Sequence, residues 1–342
     1  MIRLTSLLAA IILLTGTATA QDEAPDLFAL ISDRDMAGLE AAIAAGADVN
    51  QRQSAGLEAT PLMWSTGREA EFTRVLLDAG AEVNVRDAMG DPAINWAAYY
   101  GNTDAVALLL AAGAETELTG HGNAAEIVMR RGHSAALALI LDHRGASPDR
   151  SAAEAALEAA ALRGDAATIA ALSRHVEVAS ARDWAGRPVL QAAARANQVE
   201  AIAALINAGA PVDGADAIGF TALIEASRDG ALEAVEALIA AGADVNHVSG
   251  ENALSLTPLH LAAIGDNADI VALLLDAGAD REPVGVMGAT PLLWAIFEGA
   301  QAAALALATA GAEGNARVGE GPTALEMTEQ LGWTQVAETL AE

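Results

Sequence analysis

Thr257-Pro258-Leu259-His260-Leu261-Ala262-Ala263, followed by Leu273-Leu274-Leu275-Asp276-Ala277-Gly278-Ala279-Asp280, is the stretch that decides the fold. The same phrase returns about every 33 residues: Thr-Pro-Leu or a close variant, an Ala-rich run, a Gly, a Leu/Val-rich run, then Gly-Ala-Asp or Gly-Ala-Glu. A fixed period of this length marks a solenoid, in which one supersecondary unit shelters its apolar face against the next copy. Taking the Thr as a phase mark places it at Thr60, Thr221, Thr257, Thr290 and Thr323. Pro25, Pro92, Asn123, about Ala155 and Pro188 hold equivalent positions. The spacings, 31 to 36 residues, give ten units over residues 21–342.

Each unit reads the same way. Thr or its substitute caps a first helix, and Pro, where present, occupies that helix's first turn. A Gly near the ninth position stops it, as at Gly101, Gly132, Gly164, Gly230, Gly299 and Gly332. A second helix carries the larger aliphatics, as in Val106-Ala107-Leu108-Leu109-Leu110. A further Gly ends that one, and a polar stretch such as residues 83–90 leaves room for a tight hairpin. The expected fold is an all-α solenoid of about ten helix-turn-helix units with short hairpin loops.

These residues resemble the ankyrin repeat family. The resemblance is carried by Thr257-Pro258-Leu259-His260, by Gly-Ala-Asp-Val-Asn at 46–50 and 242–246, and by Asp-x-x-Gly at 87–90, 183–186 and 216–219. It implies an inner helix lining a concave groove, an outer helix behind it, and hairpin fingers along one edge. It also implies protein–protein binding, and a structural role for His260 in bracing neighbouring hairpins. Residues 143–187 depart from the pattern: Asp142-His143-Arg144-Gly145 carries an extra residue, Pro148 follows, and Ser173-Arg174-His175-Val176 replaces the Gly-Ala-Asp ending. A hinge and simple sequence drift both account for that. Residues 246–257 hold a three-residue insertion, near Ser249 to Ala253. Charged residues Asp33, Arg34 and Asp35 in the first unit, and the polar end at Glu342, fit capping repeats.

Residues 1–20 read as a cleavable export signal. Arg3 precedes a mostly apolar stretch from Leu4 to Leu14, and Ala18-Thr19-Ala20 matches a small-x-small cleavage site. The apolar stretch is well short of the roughly 20 residues that span a bilayer. The expected location is the periplasm or the exterior, with residues 21–342 as the repeat domain. The chain has no Cys, which excludes disulfides and thiolate metal sites. Its formal charge is −28, every basic residue is Arg, and 53% of residues are hydrophobic. That balance argues against nucleic acid and anionic lipid as partners, and against disorder.

No catalytic, cofactor or metal constellation is legible. The six His residues are scattered, and no nucleophile stands beside a base. The candidate site is instead a stripe at the ends of the inner helices, seven and eight residues past the phase mark. It comprises Arg68, Tyr99, Tyr100, Arg130, Arg131, Leu162, Arg163, Arg195, Arg228, Asp229 and Phe297. Six of the eighteen Arg fall on it, beside three aromatics. Tyr and Arg dominate interface energetics, and an Arg fork suits carboxylates. A cation at a helix C-terminus is also favoured by the macrodipole, which would produce the same stripe without a ligand.

Trp64, Trp96 and Trp294 share one phase and read as packing between inner helices, whereas Trp184 sits on a finger, where binding and packing weigh equally. Met89, Ile218, Phe220 and Met287 stand as apolar fingertips, Ile218 and Phe220 being equally suited to packing between hairpins. The sequence therefore points to a monomeric, non-enzymatic binding module that holds a partner protein through the concave groove and the hairpin fingers, Trp184 included, the partner having an acidic segment that fits the stripe. The alternatives are a small-anion or glycan binder using the same Arg, an effector exported to a host, and an enzyme with its site on 143–187.

Overall fold

The computed structural model of the chain describes residues 26–118, 120–143 and 150–342, with the side chains of residues 150 and 151 set aside. The expected export signal at 1–20, Pro25, and Arg144, Gly145 and Pro148 lie outside the described residues.

The described residues form twenty α-helices in ten consecutive pairs. The first five pairs are α1 (Leu27–Ser32) with α2 (Met36–Ala44), α3 (Pro61–Ser65) with α4 (Ala70–Asp78), α5 (Ala93–Tyr100) with α6 (Thr103–Ala111), α7 (Ala124–Arg131) with α8 (Ser134–Asp142), and α9 (Arg150–Arg163) with α10 (Ala166–Leu172). The remainder are α11 (Val189–Arg195) with α12 (Val199–Asn207), α13 (Ala222–Asp229) with α14 (Leu232–Ala240), α15 (Pro258–Ile264) with α16 (Ala268–Asp276), α17 (Pro291–Glu298) with α18 (Gln301–Thr309), and α19 (Ala324–Gln330) with α20 (Thr334–Ala341). First helices pack on first helices and second helices on second helices, so two parallel rows build the solenoid. Both rows continue through the irregular unit, where α9 packs on α7 and α11, and α10 on α8 and α12. There α9 begins at Arg150, several residues before the Ala155 phase position.

The phase-mark Thr works as a cap. Thr257 Oγ1 accepts from the His260 N–H at 3.4 Å, Thr323 from Glu326 at 3.2 Å, and Asn123 likewise from Glu126 at 2.9 Å. The two Pro phase marks among the described residues do not cap: Pro92 and Pro188 precede α5 and α11 with no side-chain bond, since Pro has nothing to offer there. Gly230 ends α13 at φ 75°, a left-handed turn that costs a residue with Cβ more than Gly. In units that lack this Gly, Arg34, Asn197 and Asp266 take the left-handed turn instead, at φ 59°, 54° and 54°.

Leu259, Ala262, Ala263, Val271 and Leu274 are fully buried between neighbours. Each buried Leu contributes about 1.5–3 kcal/mol, and the Ala positions let backbones approach closely. Polar brackets tie adjacent units in register. Asn246 donates to the Gly278 carbonyl at 3.3 Å and accepts from the Asp280 N–H at 2.8 Å, and Asn50 and Asn84 repeat the pattern one unit on each.

A second bracket lies three residues past the phase mark. His260 Nε2 donates to the Ala289 carbonyl at 3.2 Å, while its Nδ1 accepts from the Thr257 N–H at 3.1 Å. Asn95 donates to the Gly122 carbonyl at 2.9 Å and Gln191 to the Phe220 carbonyl. All three acceptors immediately precede the next unit's phase mark. The bracing that the resemblance implied for His260 is thus present, and it is shared by Asn95 and Gln191.

Hairpin fingers join the units along one edge. Two are closed by isolated antiparallel bridges, Arg86 with Pro92 and Arg182 with Pro188. Asp87, Asp183 and Asp216 each turn a carboxylate oxygen onto two N–H groups of their own loop, which fixes the finger's shape.

Candidate functional site

The inner-helix ends carry the stripe, and the structure divides it in two. In the first part, from α3 to α9, the groups touch. The Tyr100 ring lies against Gly67, close enough that a Cβ there would meet it at 3.1 Å, so it stands beside Arg68. Tyr99 meets Tyr100 edge-on, with ring centroids 5.4 Å apart. The Arg131 guanidinium lies over the Tyr99 ring at 3.9 Å. The Arg163 guanidinium lies over Gly132, next to Arg131. Arg68, Tyr100, Tyr99, Arg131 and Arg163 therefore form one continuous patch.

None of the patch's arginines is matched by a carboxylate among the described residues. Arg68 donates to the Ile31 carbonyl at 3.4 Å and to that of Gly67 at 3.3 Å, both neutral acceptors. Arg130 is turned away from the patch: it reaches the preceding finger and donates to the His121 carbonyl at 2.6 Å. Both Tyr rings are partly exposed. Burial, then the Tyr99 hydroxyl, pushes the Tyr100 hydroxyl above its usual range, with Arg68 pulling the other way. Tyr100 is thus a neutral hydrogen-bond donor. An exposed Tyr pair stacked under a free guanidinium offers both cation–π area and charge-assisted bonding.

The second part behaves differently. Arg228 pairs with Glu225 and with Asp229, the latter at 2.7 Å, and Arg195 lies 3.8 Å from Glu225 and 3.6 Å from Asp229. The stripe's expected positive charge is cancelled here, and Arg195 and Arg228 are not free cations. The Glu225 carboxylate is almost fully buried; burial raises its pKa, against the pull of Arg228 and Arg195. Glu225 is the residue that reading the sequence missed. It stands four residues past its phase mark, where Trp64, Trp96 and Trp294 stand in other units, so a carboxylate in an apolar register was the available signal.

Phe297 is half exposed on α17 and meets Trp294 edge-on at 6.4 Å, several units along from the patch. Trp184 is 86% exposed at a fingertip, which settles its place as a surface residue. Met89, Ile218 and Met287 are also exposed tips, but Phe220 is not: it is 8% exposed and packs with Ile224, Leu256 and Leu261. Trp64, Trp96 and Trp294 are part-buried between inner helices as expected, with the Trp96 indole donating to Asp87 at 2.9 Å.

Other titratable groups are built into loops. Burial works against ionised Asp91, but hydrogen bonds from His121 and Asn95 outweigh it and hold the carboxyl below its usual range. On the irregular unit, His175 bonds Asp142 at 3.2 Å, and Arg174 takes the other oxygen at 3.4 Å. Among the described residues, no three His, Asp or Glu are placed to hold a metal ion, and no helix is long and apolar enough to cross a membrane. Open concavities lie between α16 and α18 and beside Gly230, Asn267 and Ile270, away from the Tyr/Arg patch.

A family model described as ankyrin repeats matches residues 27–120, 157–249 and 247–318 in three copies. No curated protein matches the chain. The paired helices in two rows, the Asp-fixed fingers, the His260 bracket and matches spanning most of the chain lead to one statement: this chain belongs to the ankyrin repeat family.

Proposed function

We propose that this chain is an exported, non-enzymatic binding module that holds a partner protein against the patch formed by Arg68, Tyr99, Tyr100, Arg131 and Arg163. Ankyrin repeats are in general protein–protein interaction modules, and fold alone does not name a partner. One observation carries the reading: within a chain of charge −28, three arginines without carboxylate partners share a surface with two exposed tyrosines. Acidic residues outnumber basic ones 46 to 18 in this chain, so guanidiniums left without a carboxylate form a surface open to an acidic ligand. The partner segment is acidic, and the surrounding carboxylates repel it from every other face. The apolar stretch from Leu4 to Leu14 and the Ala18-Thr19-Ala20 cleavage pattern support an encounter in the periplasm or beyond it.

The test is a pull-down from the cell envelope using mature chain 21–342 and its R68S/R131S/R163S variant. A protein retained by the first and lost by the second, at unchanged helical circular dichroism, supports the reading; equal recovery refutes it. Release of the same protein by citrate or phosphate at low concentration would favour a small-anion site. N-terminal sequencing of the chain recovered from the envelope checks the signal, with Gln21 as the expected first residue.

A further inference from the structure

The fingertips carry a second surface of different character. Trp184, Ile218, Val248, Val284, Val286 and Met287 are all exposed, and all lie on the fingers that follow α10, α12, α14 and α16. Loops of this kind are ordinarily polar, and single exposed apolar residues need no explanation. A row of them does. The tips are physically joined: the Gly250 N–H donates to the Ile218 carbonyl at 2.9 Å, and the Val286 N–H to the Leu254 carbonyl at 2.9 Å. His247 also reaches the Gly219 carbonyl at 3.1 Å. Three consecutive fingers are thereby tied into one edge, with the Trp184 finger directly before them. The Trp184 finger is itself fixed, because Asp183 accepts from the Ala185 and Arg187 N–H groups and from the Arg187 guanidinium. An aromatic held out on a rigid turn loses little entropy on contact.

Charge identifies what fits. Each arginine on these fingers has a partner: Arg174, on the finger that carries Trp184, pairs with Asp142 at 3.4 Å. Arg182 donates to the Ala179 and Ala181 carbonyls, Arg187 pairs with Asp183 at 2.7 Å, and Arg281 donates to the Ala310 and Gly311 carbonyls. The acids are left outward: Glu251 is exposed on the inserted finger, and Asp213, Asp244 and Asp280 are exposed at the finger bases, without a cation partner among the described residues. The edge is thus apolar with an acidic border, the reverse of the Tyr/Arg patch.

We propose that these fingertips form a second docking edge, and that its occupant is a segment of another protein in which apolar residues are interleaved with Lys or Arg. The inference shares with the groove reading the premise of a protein-binding chain; it names a different surface and the opposite partner charge. Apolar tips supply contact area, with Trp184 as the anchor. The acidic border selects basic flanks and repels acidic ones.

The experiment uses the mature chain and three synthetic helical peptides: an amphipathic Leu/Lys peptide, its Leu/Glu counterpart, and a Ser/Lys peptide of equal charge. Binding is read by calorimetry and by the emission shift lost on W184F. The Leu/Lys peptide is expected to bind at least tenfold more tightly than the other two. W184S/I218S/M287S, all exposed positions, should weaken it at least tenfold with circular dichroism unchanged, and R68S/R131S/R163S should leave it as it is. Equal binding of Ser/Lys, binding of Leu/Glu, or an unaffected fingertip variant each overturns the proposal. Loss of Leu/Lys binding in the arginine variant would move the site to the groove and overturn it as well. Failure of the envelope pull-down bears on the groove reading and leaves this measurement standing.

Discussion

His260 sets up a pH dependence whose size follows from its surroundings. The ring is fully buried, accepts from the Thr257 N–H through Nδ1, and donates to the Ala289 carbonyl through Nε2. That arrangement needs the neutral ring. Burial first of all drives its pKa from 6.5 down to about 4, while the backbone carbonyls of Ala289 and Pro283 oppose the shift. The folded pKa lies below the unfolded one, so the unfolded chain takes up the proton first. His260 therefore costs nothing above about pH 6.5, and stability falls as pH drops from there towards 4. With about 1.36 kcal/mol per unit, the loss between pH 7 and pH 5 is about 2 kcal/mol, approaching about 3 kcal/mol below pH 4. The perturbation to use is His260→Gln, because Gln191 and Asn95 already fill this position and donate to the corresponding carbonyl. Urea unfolding of the mature chain and of H260Q at pH 7, 6 and 5 compares the two slopes; the many carboxylates titrate in both and cancel. H260Q should lose about 2 kcal/mol less than the parent over that range. Solenoids can unfold in steps, so a proton NMR titration of the His260 ring accompanies it. Titration near 6.5, or parallel pH slopes for the two chains, refutes the reasoning.

Two further outcomes follow from burial and charge. Leu274→Ala removes a fully buried side chain between α16 and its neighbours and should destabilise the chain by about 2–5 kcal/mol, read as a lower urea midpoint; a change under about 1 kcal/mol would mean the rows repack freely. Glu225→Gln removes the carboxylate that Arg195 and Arg228 share, leaving them Asp229 alone. It should tighten binding of a poly-Glu peptide several-fold at low salt, with at most about 1 kcal/mol lost in stability because both guanidiniums are a third exposed. Unchanged affinity would show that Glu225 is not what silences that half of the stripe.

The fold was legible because it is local. Thr257-Pro258 caps and starts a helix, Gly278 ends one, and each instruction acts within a few residues and recurs at one period. Where the local signal failed, at Pro92, Pro188 and Ala155, the helices still formed. Packing against the neighbouring rows placed them, which no single unit encodes.

The stripe at the inner-helix ends could be read from phase alone, since phase fixes which side chains share a face. Phase does not say what meets them. Whether Arg131 stays free over Tyr99, or Arg195 is drawn to a buried Glu225, depends on groups that stacking brings close across units, and electrostatic energy varies steeply with distance. The same holds for Phe220 against Ile218, two residues apart on one finger, one buried and one exposed. Sequence alone determined the helical pair, its period and the face it presents, because those are set by backbone chemistry within a turn or two. Tertiary structure decided which cations remain unmatched and which apolar tips remain uncovered, because stacking sets whether a group from the next unit reaches them, as Glu225 and Asp229 reach Arg195 and as Leu256 and Leu261 cover Phe220.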